Sequence, residues 1–334
     1  MITALLVFKE KLMSFYAKAG IYINYALKFI MAFLAFLLIG RFIGTNELLA
    51  SPIICFAAGL LCAFVPINAT VLCATLLTII HLFGMSIELA LVATIVMLIV
   101  YLLYFRFAPK TGFLMIITPL LFCIKLPYVV PVIAALTVGI TGIIPVICGS
   151  FIYYLINFAH NYSTAISTLD ADSALQNITF IFNNVLNNKE LIIIVISFSI
   201  AIMMIYMIRR MSVNYSWIIG IVAGCVTDAI VIIVSFSLLM VDFSVGGLIG
   251  GTLVAILIGM IMHLFVFSVD YSSTEYVQFE DNDYYYYVKA VPKVSVSGRN
   301  VTIKKINSLQ EEKGFVHTES YEDEMMEVEE QDQE

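Results

Sequence analysis

Apolar residues fill long stretches of this chain, and polar ones collect in the gaps between them and at the C-terminus. Runs at 21–40, 48–66, 68–84, 87–105, 191–209, 215–240 and 246–268 are long enough, or nearly so, to cross about 30 Å of hydrocarbon at 1.5 Å per residue, which predicts seven helical spans. The stretch from Thr111 to Phe158 is different. It divides into a short run at 112–124, a break at Lys125-Leu126-Pro127, a second short run to about Ile140 and a longer run at 141–158. Pro119, Pro127, Pro131 and Pro145, with Gly139, Gly142 and Gly149, interrupt it throughout. Two arrangements fit: three crossings, or a re-entrant hairpin at 111–140 followed by one crossing. The totals are ten and eight crossings.

Both ends of the chain depart from this pattern. At 100° per residue Leu5, Phe8, Leu12, Phe15, Tyr16 and Ala19 share one stripe with Glu10, Lys11 and Lys18 opposite. That predicts an amphipathic helix at 1–20, lying either on the membrane surface or on the protein's own cytoplasmic face. Beyond the last span, Tyr276 to Phe279 and Tyr284 to Val296 are rich in aromatic and β-branched residues, and Ser297 to Asn300 reads as a turn into Val301-Thr302-Ile303. From Gln310 onward the chain is too poor in apolar residues to fold alone. The expected organisation is an interfacial helix at 1–20, a transmembrane domain at 21–268, a small cytoplasmic β-unit at 269–306 and a disordered acidic tail at 307–334.

Composition narrows the class. With 61% hydrophobic residues, 12% charged residues and a mean hydropathy of +1.00, the 334-residue chain has too little polar surface to face water as a globule. The fold class is an all-α polytopic membrane protein of about 8–10 transmembrane helices, with the lipid bilayer as its first partner. The acidity is local: residues 1–269 carry eleven Lys and Arg against eight Asp and Glu, while 270–334 carry six against sixteen. Lys9, Lys11, Lys18 and Lys28, then Arg106 and Lys110, then Arg209 and Arg210, place both termini in the cytoplasm by the positive-inside rule. No apolar core followed by a small-residue cleavage site precedes the first span, so a cleaved signal peptide is not expected. The six cysteines lie in apolar stretches without a Cys-x-x-Cys pair and read as small core residues.

Asp228 is the sharpest clue to chemistry. It sits in the middle of an apolar run, where an ionised carboxylate costs roughly 3 kcal/mol or more and must be paired, protonated or wetted. Lys125 is its candidate partner. A re-entrant hairpin would bring the Lys125-Leu126-Pro127 tip to the level of Asp228, forming an ion pair or a wet cavity along a substrate or ion pathway that includes Pro119, Pro127 and Pro131. In the competing arrangement Lys125 snorkels to the outer interface and Asp228 bonds to a neighbouring helix. Gly220, Gly224 and Asp228 recur every four residues, as do Gly247, Gly251, Ala255, Gly259 and His263, which predicts close packing between these two helices. His263 lies about 12 Å from Asp228 along the helix axis, too far for a relay. His81 and Glu88 read as a pair across a short turn.

The sequence carries no P-loop, His-Glu-x-x-His, Gly-x-Ser-x-Gly or paired-aspartate protease signature, so no enzymatic activity, metal or cofactor is expected. Nor does it carry a basic patch for nucleic acid. The run Phe105 to Gly112, Thr118-Pro119, Lys125 to Pro131 and the juxtamembrane Glu275 to Asp281 and Lys289 to Lys293 resemble an uncharacterised family of multi-pass membrane proteins of clostridial Gram-positive bacteria. The likeness covers most of residues 20–305. Some members are labelled permeases of ABC transporters, so the resemblance implies a bacterial plasma membrane location. A permease-like or exporter-like role is the first functional expectation, and an ATP-driven one calls for a separate ATPase subunit. The alternative is a non-transporting envelope scaffold whose tail recruits a cytoplasmic protein partner.

Overall fold

The computed structural model describes residues 2–165, 174–211, 213–241, 244–266, 275–280 and 284–290. Six helices among them are long and apolar enough to cross a membrane, which makes the chain a polytopic, predominantly helical membrane protein. Helix α5, Ile87–Phe107, displays the reason. Its buried face carries Leu89, Ala93, Val96 and Val100, yet Leu91, Ile95, Leu98 and Leu102 on the opposite face are 49–64% exposed. A helix apolar all round needs an apolar solvent outside as well as a packed neighbour inside.

The first half is built around α1, Ile2–Phe42, which passes through residue 20 without a break. Phe8 meets Phe265 edge-on, and Lys9 is buried. A short α2, Glu47–Ala50, leads to α3, Pro52–Phe64, and α4, Ile67–Phe83. The expected span at 48–66 is thus only thirteen helical residues long. Ser51 caps a fresh start with Pro52 at the first position, and Val65-Pro66 ends the helix. Lys28 Nζ donates to the Val65 carbonyl at this turn, 3.4 Å away.

The broken stretch folds at the expected places. Helix α6, Gly112–Cys123, is followed by the Lys125-Pro127 tip, α7, Val129–Thr137, a 3-10 turn at Gly139–Gly142, and α8, Ile143–Ala165. The legs α6 and α7 rise only about 18 and 13 Å. The second half continues with α9, Ala174–Leu186, α10, Lys189–Arg209, α11, Ser216–Leu239, and α12, Val245–Val266. Nearly every residue of α7 is buried, in a core shared with α6, α8, α10, α11 and α12. A nine-residue helix is far too short to span, but here protein, not lipid, surrounds it.

The small-residue faces pack, that of α11 on α10 and that of α12 on Tyr128, α7 and α11. A Cβ at Gly224 would overlap the Ile205 side chain, and one at Gly220 would approach the Ile205 carbonyl at 3.3 Å, so this face of α11 belongs to α10. On α12, Gly251 lies under the Tyr128 ring and Gly259 meets Ile221 of α11 and Val132 of α7, whereas Gly247 has only Ser244 nearby. Spacing identifies a small face; it does not name the helix that fills it. Past the last span, β1, Glu275–Glu280, and β2, Tyr285–Ala290, pair antiparallel with Val277 opposite Val288. The expected turn at 297–300, its following strand and the acidic tail lie outside the described residues.

Replacing Gly224 or Gly251 by Ala should each destabilise the detergent-solubilised protein by about 1–3 kcal/mol through overpacking. Gly250→Ala, where a Cβ meets nothing within 4 Å, should be neutral or slightly stabilising. Thermal unfolding of the three variants checks the order.

Candidate functional site

The tip between α6 and α7 is a fully bonded break. Leu126 N donates to Leu121 O at 2.8 Å and Lys125 N to Phe122 O at 3.0 Å, the paired bonds of a Schellman stop. That motif requires a left-handed residue, and Lys125 supplies it with φ 61° where glycine is the usual occupant. Val129 and Val130 then donate back to Leu126 and Pro127, and Pro131 falls in the first turn of α7, where a missing N–H leaves no gap. At the far end Arg209 donates to the Ala135 and Leu136 carbonyls, both at 2.9 Å, while its guanidinium lies 4.7 Å from the Trp217 ring centre. Arg209 therefore caps α7 from α10 with a cation where the helix dipole favours one.

Beside the tip opens a cleft of about 290 Å³. Lys125, Glu190, Tyr128, Tyr153, Tyr154 and Asn157 contribute its chemistry, and Pro127 and Gly247 part of its wall. Glu190 enters from the first turn of α10, and Ser244, just before α12, closes one side. Both Lys125 and Glu190 are exposed. They share the cleft without bonding to each other, and neither has a hydrogen-bond or ion-pair partner among the described residues.

Asp228 lies behind this cleft, not in it. The residue is 1% exposed; Ser197 Oγ of α10 donates to its Oδ1 and, at 3.0 Å, to its backbone carbonyl. Its Oδ2 has no partner among the described residues. The expected ion pair with Lys125 is not formed, because the tip comes to rest beside Ile194, about one turn of α10 from Ser197. Tyr128 lines the cleft, and both Tyr128 and Ala229, the residue after Asp228, pack against one cluster of Ile193, Ile232, Phe236 and Leu248.

Of the other expected pathway residues, Pro119 faces the opposite way, into a small apolar void of about 60 Å³ with Tyr101 and Met115. Pro131 is buried in α7. His263 lies by Trp217, away from Asp228. His81 does not pair with Glu88; both its ring nitrogens are buried without partners among the described residues, and Glu88 accepts from Ser86 Oγ at 2.6 Å. Glu190, Tyr128, Tyr153, Tyr154 and Asn157 were missed from the sequence. An acid one residue ahead of an apolar run reads as an ordinary helix start, and tyrosines in a span read as core.

No protein family, curated protein or solved structure matches this chain in sequence or fold. The site's chemistry must therefore be read from its own geometry.

Two substitutions probe the construction. Lys125→Gly should raise stability by about 1 kcal/mol over Lys125→Ala, since only glycine adopts the left-handed stop without strain. Ser197→Ala should lower it by about 1–3 kcal/mol by stranding a buried carboxyl oxygen. Thermal unfolding of purified protein measures both.

Proposed function

We propose that the chain is a permease-like or exporter-like component of a bacterial plasma membrane, with the Lys125–Glu190 cleft as the mouth of its pathway and Asp228 as the coupling group behind it. The observation that carries this reading is a cleft lined by a cation and an anion, built on a broken helix pair inside an otherwise apolar bundle, with a buried carboxyl, Asp228, held with one open oxygen on the same helix α10 that supplies Glu190. Broken helices satisfied by protein are where membrane transporters place their sites. In the orientation set by Arg209 and Arg210, with both termini cytoplasmic, the cleft faces outward. Tyr128 is the barrier between mouth and carboxyl. The resemblance to clostridial membrane proteins implies a plasma membrane location and not this role, and any use of ATP would need a separate ATPase subunit.

The scaffold reading has one observation in its favour, the dense packing around Asp228. The two part company in vesicles. With purified protein reconstituted and offered an isotopically labelled mixture of small metabolites, the wild type should accumulate or release specific solutes, and Asp228→Asn should cut that flux tenfold or more at unchanged reconstitution yield. Removing 308–334 should leave it intact. Flux no greater than in protein-free vesicles leaves the scaffold.

A further inference from the structure

We infer that the cleft between the α6–α7 tip and the start of α10 is a binding site for a small zwitterion, a molecule with an ammonium and an anionic group on a short spacer, of the α-amino acid type. The inference deepens the permease-like reading and rests on it for the cleft's role. Three observations carry it. A cation and an anion, Lys125 and Glu190, line one cavity and do not satisfy each other. A ligand with both charges is matched by both, whereas a simple cation or anion meets one attraction and one repulsion.

The second observation is size. About 290 Å³ falls at the lower limit of small-molecule sites, room for one compact solute. The third is the lining between the charges. Tyr153 and Tyr154 line the cleft with Glu190, so an ammonium held there also faces aromatic rings, and Asn157 offers an amide. Lys125 is held out by a backbone conformation unfavourable for lysine. A residue kept in a strained conformation where glycine would serve the fold is held for its side chain.

A free amino acid and the headgroup of an aminophospholipid share this chemistry, and the test separates them. Full-length protein in phosphatidylcholine nanodiscs is titrated calorimetrically with L-alanine, L-leucine, L-glutamine and glycerophosphoethanolamine, and then with isoamylamine and 4-methylpentanoate, the amine and acid analogues of leucine. At least one zwitterion should bind, with both single-charge analogues tenfold or more weaker. Lys125→Gln should weaken the zwitterion at least tenfold and spare the amine; Glu190→Gln should weaken it equally and spare the acid. Lys125→Gly, which suits the helix stop, repeats the loss in a protein whose fold is not in question. Binding of glycerophosphoethanolamine alone keeps the zwitterion rule and assigns it to lipid. No zwitterion binding, or equal affinity for zwitterion, amine and acid, overturns the inference. Binding without vesicle flux would retain the ligand class and remove transport, and flux of a non-zwitterion would do the reverse.

Discussion

Two short helices placed end to end inside an apolar bundle leave backbone groups with no water to turn to, and the whole site depends on how those groups are satisfied. At the tip, the carbonyls ending α6 are taken up by Lys125 and Leu126, and the first turn of α7 is closed by Leu126, Pro127 and Pro131. At the other end Arg209 reaches in from α10 to hold two carbonyls. Each unsatisfied group in such surroundings costs several kcal/mol, so the break is tolerable only because all of these bonds form together. The cleft is the remaining space at the one end of α7 that opens outward from the core.

That arrangement gives the two acids of the region separate duties. Glu190 stands in the cleft with its charge open to whatever enters. Asp228 is enclosed, tied to α10 through Ser197 on the same helix pair that Gly220 and Gly224 draw tightly together. Tyr128 lines the cleft of Glu190 and fits against Gly251 of α12. Glu190 and the Ser197 that holds Asp228 are thus stacked along α10, about two turns apart.

The sequence revealed more of the fold than of the site. The Lys125-Leu126-Pro127 break announced where α6 ends and α7 begins, because a missing N–H and a restricted φ are local facts, though Pro119 sits inside α6 without ending it. The small faces on α11 and α12 were legible as faces, but the seat of Gly220 and Gly224 on α10 was not: four-residue spacing is a property of one helix, and the partner is settled only when every helix is in place. Arg209 read as a charge marking the end of a span. Its role as a cap needed the carbonyls of Ala135 and Leu136, seventy residues away in sequence, to be brought to it. Glu190, Tyr153 and Asn157 carry no motif, and only the tip folding against α8 and α10 makes them neighbours.

The seat of Tyr128 at Gly251 has a consequence for how the cleft behaves at rest. One phenol ring is both the floor of the cavity and the plug of a notch on α12. Swinging it aside to deepen the cavity would leave a vacancy of aromatic size beside that helix, and vacancies of this kind cost about 3–5 kcal/mol. At roughly 1.4 kcal/mol per tenfold, the shut form outnumbers the deepened one by at least a hundredfold until something else fills the notch or lodges against the ring. The smallest residue at position 251 therefore holds the ring in its notch and keeps the cavity at its resting depth.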